Sequence, residues 1–463
     1  MILGIASILI LVYFVLMEIQ MLVLAVLSVR SLRRDRLIEK HGRIDDLLSS
    51  DLSPPVSIIV PAYNEAAGIV ESVRSMSMLR YAKFEIIVVN DGSTDGTLEA
   101  LIEGFRMVEV TIPFRNEIDT AEVRGIYRST LPLPILVVDK LNGGKTDALN
   151  AGVNVAKYPY VLLTDADVVM DGECVLRAIR HVVEDRHRTI AVGGNIRPIN
   201  GSTVNRGRVT ETHMPRGRLE RMQVLEYIRS FIGARPGLSR LNGLVLISGA
   251  FGIYRRDIMA EIGGFRDGHL GEDMDLTMRL HKHMRDRHLE YRIVYAADAV
   301  CWTEVPTNRR ILKKQRVRWH RGLTMVVRDF KHMLWNPRYG ALGMFTWPSF
   351  FLFEYVAPIV EVAGWIILPL TVITGDLNLA FAIPLMLFAF FLGAVNSLIG
   401  LYLDESYGYF SSPLDAMRLL GLVFLENLGF RQLTVVWRFR SLFMGNKPPE
   451  WGNMERVGVG KLA

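Results

Sequence analysis

The chain is poor in cysteine: Cys174 and Cys301, in unrelated surroundings, are the only two among 463 residues. That excludes a disulfide framework and gives a cysteine metal site no support. From about Leu52 to Trp335 no run is long and apolar enough to span a bilayer, and no sustained repeat or low-complexity tract occurs. No lysine or arginine precedes Arg30. The Gly143-Gly144-Lys145 run lacks Walker spacing, which counts against an ATPase. Charge is not scarce, with 54 Lys and Arg against 48 Asp and Glu and a formal net charge of +6. Half of the residues are hydrophobic, which excludes a disordered chain. A mean hydropathy of +0.23 is that of a soluble domain averaged with several apolar segments.

The first such segment, Ile2–Val29, has Glu18 and Gln20 as its only strongly polar members. About 20 apolar residues span a bilayer core as helix, and the segment lacks the basic start and small-residue cleavage site of a signal peptide. It reads as a retained anchor. Arg30, Arg33, Arg34, Arg36, Lys40 and Arg43 follow at once, so the charge bias places the N-terminus outside and residue 30 onward in the cytoplasm. Phe350–Ile373 and Leu379–Leu403 are two further spans, joined by the short TGDLN turn. Leu414–Val436 carries Arg418, Glu426, Asn427, Arg431 and Gln432 and reads as an amphipathic helix, in the membrane plane or lining a cavity, with a fourth crossing as the alternative. The tail beyond it is basic, with Arg438, Arg440, Lys447, Arg456 and Lys461, and is expected in the cytoplasm.

Between the apolar segments, short β runs alternate with helical ones. Val56–Val60, Phe84–Asn90, Ile135–Asp139 and Tyr160–Asp165 read as buried strands; Glu65–Leu79, Asp95–Phe105 and a segment beginning near Thr146 read as helices. Continuous apolar strands alternating with helices predict a parallel α/β sheet. Ligands of such sheets sit beyond the strands' carboxyl ends. Four polar clusters lie there: Pro61-Ala62-Tyr63-Asn64-Glu65, Asn90-Asp91-Gly92-Ser93-Thr94-Asp95-Gly96, Lys140-Leu141-Asn142-Gly143-Gly144-Lys145 and Asp165-Ala166-Asp167. Singly, each is explained by capping and turns. Together they fall where one crevice gathers them.

The chemistry they suggest is nucleotide-sugar handling. Asp165 and Asp167, at i and i+2 after a strand, suit a hard cation such as Mg2+ or Mn2+ shared with substrate phosphates. Asp91 is placed to accept hydrogen bonds from a base edge, and Lys145 to meet a base carbonyl or phosphate. Ile247-Ser248-Gly249-Ala250-Phe251-Gly252 reads as a small-residue strand edge suited to lying along a sugar. Gly271-Glu272-Asp273-Met274-Asp275 opens a helix; Asp273 is the candidate general base, its proton affinity raised by Glu272. Gln315-Arg316-Val317-Arg318-Trp319 lies on a basic helix whose Trp319, Leu323, Val326, Phe330 and Met333 recur on one apolar face. Gln315 and Trp319 suit a sugar ring stacked on the indole, and Arg318 a diphosphate.

In their order and separation, VNDGSTD, DAD, GED and QRVRW form a specific set. From roughly Val56 to Trp319, and into the flanking apolar segments, the chain resembles the processive, membrane-embedded family 2 glycosyltransferases: cellulose, hyaluronan, chito-oligosaccharide and poly-N-acetylglucosamine synthases. The resemblance implies a GT-A fold, a UDP-activated donor, a divalent cation and inversion at the anomeric carbon. It also implies that Asp91 contacts the uridine, that Asp167 leads metal binding and that Asp273 is the base. Pro61, Tyr63, Glu65, Lys145, Asp165 and Arg318 then belong to the nucleotide-sugar site, Ser248, Gly249, Gln315 and Trp319 to the acceptor side, and Glu272 stands beside the base. Gly271 takes the place of the family's threonine, and no FFCGS-like motif of cellulose synthases is present.

The organisation expected is therefore an anchor over 1–29, a cytoplasmic GT-A-type α/β catalytic domain over 30–300, basic interface helices over 301–345, a membrane region over 346–436 and a cytoplasmic tail over 437–463. The expected activity is polymerisation of a β-linked polysaccharide from UDP-N-acetylglucosamine or UDP-glucose at the cell membrane, with the product passed through a channel of the chain's own. Expected partners are the UDP-sugar, the growing polysaccharide or a glycolipid acceptor, membrane lipids and envelope proteins, with no nucleic acid. Transfer of one sugar to a lipid is the alternative, and a non-enzymatic transporter, hinted at by Glu354 and Glu361, is a further one. Residues 197–240, with nine arginines, read either as a solvated loop leading to an interfacial helix over about Leu219–Ile232 or as a mobile lid or polymer-contacting loop. His281, His283 and His288 read as a solvated face.

Overall fold

A computed structural model describes residues 2–41, 53–205, 207–407, 412–426 and 429–444. Arg43, Asn427, Lys447, Arg456 and Lys461 lie outside the described residues, as does the tail after residue 444. The described chain divides into an α/β unit, 34–214 with 244–305, and a helical unit built from 1–33, 215–243 and 306 onward.

In the α/β unit the strands are β1 (Val56–Ala62), β2 (Phe84–Asp91), β3 (Met107–Glu109), β4 (Val123–Ser129), β5 (Ile135–Lys140), β6 (Tyr160–Leu163), β7 (Val169–Met170), β8 (Thr189–Pro198), β9 (Thr203–Asn205), β10 (Arg208–Glu211), β11 (Gly252–Arg255) and β12 (Arg292–Thr303). Ten of them form one sheet in the order β3-β4-β5-β2-β1-β6-β11-β8-β12-β7, and β9 pairs with β10 alone. The middle is parallel, β5-β2-β1-β6. β11 runs antiparallel to both β6 and β8, and β4 antiparallel to β5. The sheet is thus mixed where a parallel one was expected. Strands covered on both faces read as continuous apolar runs whatever their direction: Ile58, Ile59, Val60, Ile86, Ile87, Val88 and Val89 have no exposed surface.

Helices cover this sheet closely where small residues permit. In helix Lys145–Val155, a Cβ on Gly152 would stand 2.3 Å from Ile59, so glycine lets the helix axis approach β1. The first helix after β1 is shorter than expected, Ile69–Met76, because Glu65–Gly68 close a turn in which the Gly68 and Ile69 amides donate to the Glu65 carbonyl. Cys174 and Cys301 are free and buried.

In the helical unit, Ile2–Leu37 and Leu379–Glu405 are each long and apolar enough to cross a membrane. Large side chains of the second, including Leu387 and Phe391, stand exposed, as a lipid-facing surface requires. The segment expected as one span over Phe350–Ile373 is a bent pair, Leu342–Tyr355 and Ala357–Ile373, at 44°; Pro358 in the first turn of the second member supplies no amide to continue the ladder. Leu414–Val436 is likewise divided, between helices Pro413–Leu425 and Phe430–Ser441. Several polar side chains are paired within this unit. Ser7 bonds Thr371 at 2.9 Å, Asn396 donates to Glu18 at 2.9 Å, Arg431 pairs with Glu361 at 3.2 Å and Arg229 pairs with Glu426. The helix expected over Leu219–Ile232 starts at Arg218 and continues through a π-helical turn, Ile228–Ala234, to Arg240.

Candidate functional site

The strand ends of β1, β2, β5 and β6 carry the four polar clusters, as the α/β pattern requires. Those after β1 and β2 are laced together. The Asn64 amide donates to Ser93 Oγ at 3.0 Å, the Thr94 amide to Asn64 Oδ1 at 2.8 Å, the Glu65 amide to Thr97 Oγ1 at 2.9 Å and the Ala66 amide to Asp95 Oδ2 at 3.1 Å. Asn64 adopts φ 56°, a left-handed conformation that Asn tolerates. Burial works against the Asp95 charge, but hydrogen bonds from Thr97 and the Ala66 amide hold its carboxyl below the usual range. Pro61 sits within β1 and Tyr63 is exposed beside it.

Asp91 ends β2 and is buried. Its carboxylate is engaged by its own chain: Oδ1 accepts from Lys140 Nζ at 2.7 Å and the Gly143 amide at 3.0 Å, and Oδ2 from the Gly144 amide at 2.8 Å. Gly144, at φ 91°, turns the chain into the helix that Lys145 opens.

Lys145 is where the clusters meet. A cation in the first turn of a helix opposes the macrodipole, and here two carboxylates offset it: Asp165 Oδ1 lies 2.5 Å from Nζ and Glu272 Oε1 4.0 Å. A Cβ on Gly249 would stand 3.7 Å from the same Nζ. Lysine, DAD turn, GED helix and the Ser248-Gly249 segment therefore share one locality. Asp167 follows in the turn between β6 and β7, partly exposed like Asp165.

The Ile247–Phe251 segment is a loop; β11 begins only at Gly252. The reading of it as a strand edge is corrected because its polar groups are spent elsewhere. The Ile247 amide donates to Thr277 Oγ1 at 3.3 Å, the Phe251 amide to the Ser248 carbonyl, and the Ala250 carbonyl accepts from Thr164 Oγ1 at 2.9 Å. The loop is thus pinned between the residue preceding Asp165 and the helix that bears Asp273. That helix, Glu272–Asp286, has Glu272, Asp273 and Asp275 in its first turn. Asp273 Oδ1 accepts from the Met274 amide at 2.8 Å, and its carbonyl from Thr277 Oγ1. Burial pushes the nearby Tyr254 phenol up, and the Asp273 carboxylate adds to that rise.

Sequence reasoning gave little weight to three residues that hold this arrangement. Asp275 is fully buried and pairs with Arg266 and, at 2.8 Å, Arg279. Asn150 clasps the backbone of Phe265 through both ends of its amide, at 2.8 and 2.9 Å. Lys140 is fully buried against Asp91. Charged or amide side chains on an otherwise apolar face were the available signal. His281, expected on a solvated face, is buried; its Nε2 donates to the Leu244 carbonyl at 2.9 Å and its Nδ1 meets Tyr291 Oη at 2.7 Å. The polar partner ten residues away lets an imidazole replace an apolar core residue.

Gln315, Arg318 and Trp319 belong to the helical unit, on helix Arg309–Asp329. Its buried face is Leu312, Arg316, His320, Leu323 and Val326, whereas Trp319 is 40% exposed. Trp319 therefore leaves the apolar face assigned to it. Arg316 explains this: it pairs with Glu226 at 2.7 Å and lies 4.4 Å over the Trp319 ring, holding the indole from one side.

The family model for glycosyl transferase family 2 matches residues 57–263. Poly-β-1,6-N-acetyl-D-glucosamine synthase of Staphylococcus epidermidis is 27% identical over 384 residues, 80% of this chain and 78% of that one. The synthase of the same name from Staphylococcus aureus (strain COL) is 30% identical over 287 residues, 61% of this chain and 58% of that one. Among solved structures, the mannosyltransferase PcManGT of Pyrobaculum calidifontis, in complex with GDP-Man and Mn2+, superimposes with a TM-score of 0.45 at 18% identity, covering 92% of this chain and 98% of that one.

Proposed function

We propose that this chain, whose residues 57–263 match the family model for glycosyl transferase family 2, is a membrane-bound polysaccharide synthase of that family, extending a β-linked polymer from a UDP-sugar with inversion. The observation that carries the reading is Lys145, whose ammonium has Asp165 at 2.5 Å and Glu272 at 4.0 Å. A nucleotide diphosphate entering beside that lysine would stand between the DAD turn and the acidic start of the GED helix. N-acetylglucosamine is the favoured donor, in keeping with the relatives' names, and glucose is the alternative.

Each residue then has a task. Asp91 and its glycine loop seat the uridine, with Pro61, Tyr63 and Glu65 on the neighbouring strand end. Lys145 neutralises phosphate charge. Asp165 and Asp167, two partly exposed carboxylates in one turn, fit a hard oxygen-ligated cation; Mg2+ or Mn2+ held chiefly by Asp167 would supply charge neutralisation at the diphosphate. Asp273 takes the proton of the acceptor hydroxyl as that oxygen attacks the anomeric carbon and the bond from that carbon to the UDP phosphate oxygen breaks, with Glu272 beside the base. Ser248 and Gly249 lie along the sugar. The family motif would give Gln315 and Trp319 to the acceptor and Arg318 to the diphosphate.

We place the α/β unit on the cytoplasmic side of the cell membrane, since arginines follow the first apolar helix and none precedes it. The buried polar side chains within the helical unit, such as Ser7, Asn396 and Glu361, suit passage of a hydroxyl-rich chain. The test is a screen of UDP-sugars against the purified chain in lipid nanodiscs, with and without a chelator, measuring UDP release and sizing the product. A single added sugar would replace polymerisation with glycolipid synthesis. No UDP release with any donor would reject the reading.

A further inference from the structure

We propose that Lys140, which the mechanism above does not use, is a positioning residue that sets the donor pocket by balancing two carboxylates, the buried Asp91 and the half-buried Asp147. This rests on the reading of Asp91 and Lys145 as nucleotide-sugar residues. Lys140 is the last residue of β5 and stands directly beside Asp91 in the parallel register of β2 and β5. Its side chain has no exposed surface. The ammonium is ion-paired with Asp91 Oδ1 at 2.7 Å and Asp147 Oδ1 at 2.5 Å, and donates to the Leu141 carbonyl at 2.6 Å.

A buried ammonium is costly to desolvate unless carboxylates pair with it. Here the two carboxylates outnumber the one cation, and backbone amides take up the remainder: Gly143 and Gly144 donate to Asp91, and Ala121 donates to Asp147 Oδ2 at 3.0 Å. Asn142 adds a bond from its side chain to the Asp91 carbonyl at 2.7 Å. The 141–144 loop is thereby wound around one carboxylate. Asp147 lies in the first turn of the helix that Lys145 opens. Lys140 thus ties the end of β2 to the start of that helix, and the direction of Lys145 towards Asp165 follows from the tie. Without the cation, the Asp91 and Asp147 carboxylates are left beside each other with no positive charge between them, and the loop must open to admit water.

The experiment uses the full chain in nanodiscs and UDP alone as probe. Lys140→Met should weaken UDP binding by about tenfold or more, as loss of a buried pair's partner does, and raise the donor KM while kcat at saturating donor stays within about threefold. Hydrogen exchange over 141–147 should quicken while β1 and β2 keep their protection. Lys140→Arg retains the charge without the compact head, should fall between, about threefold down, and carries the test if the methionine variant does not fold. Wild-type affinity and exchange in the variant under test would overturn the proposal, as would a fall in kcat with KM unchanged. If the wild type itself binds no UDP, the nucleotide reading fails, and exchange over 141–147 alone decides the role of Lys140.

Discussion

Lys145 Nζ lies 2.5 Å from Asp165 Oδ1, which joins a helix N-terminus to the turn after β6. The pair is partly exposed on both sides, 21% and 33%, so its direct worth to stability is small. Its consequence is electrostatic: a cation is held between the turn that bears Asp165 and the helix that Glu272 opens. Lys145→Met should lower kcat/KM by roughly 10²-fold, the scale of losing one charge-stabilising donor, while the melting temperature moves little. UDP-release kinetics and thermal denaturation check this, and an unaltered kcat/KM would remove Lys145 from the site.

Asp273 stands at the start of helix Glu272–Asp286, next to the residue that faces Lys145. If it is the base, Asp273→Asn should cut transfer by about 10²–10⁴-fold and leave UDP affinity near that of the wild type. Calorimetric titration of UDP into the inactive variant separates the two effects. Loss of binding would make Asp273 part of the nucleotide seat instead.

The strand-end clusters were legible because β1, β2, β5 and β6 are uninterrupted apolar runs, and the polar residues after such runs must lie at one edge. What escaped were features that depend on partners distant in sequence. β11 reads like any short apolar strand, and only its pairing with β6 and β8 reveals its antiparallel direction. Ile247–Gly252 reads as a strand edge, yet Thr277 takes the Ile247 amide and Thr164 the Ala250 carbonyl. His281 and Lys140 are polar residues whose burial is set by Tyr291 and Asp91, and no periodicity announces such a pair. Trp319 fits an apolar helical spacing, but Arg316 on the preceding turn makes an exposed position tenable.

The clasp between Asn150 and Phe265 makes a stability prediction. Both ends of the Asn150 amide are used, and the residue is 5% exposed. Asn150→Ala leaves a buried amide and carbonyl without partners, which should cost about 2–4 kcal/mol. Gly264→Ala should act on the same joint, since the new Cβ would stand 2.3 Å from Asn150 Oδ1 at a φ of +62°. Both variants should melt earlier than the wild type, and the double variant by less than the sum, because the two changes break one contact. Additive losses would show that the clasp is not the shared element.

His281 gives the α/β unit a pH dependence whose sign can be worked out. The Leu244 carbonyl can only accept, so Nε2 carries the proton and Nδ1 accepts from Tyr291 Oη. Burial then holds the imidazole neutral, pushing its pKa from 6.5 down to about 4. The unfolded chain takes up this proton near pH 6.5 and the folded one only near pH 4. Stability from this group is therefore complete above pH 6.5 and is lost as the pH falls towards 4, by about 3 kcal/mol in all. His181, pushed down to about 3 by burial, acts in the same direction but is common to the wild type and any His281 variant. His281→Gln should accordingly be less stable than the wild type at pH 7 and should close much of that gap by pH 5. Melting temperatures measured in parallel across that interval test it; a constant gap would mean that His281 does not titrate on unfolding.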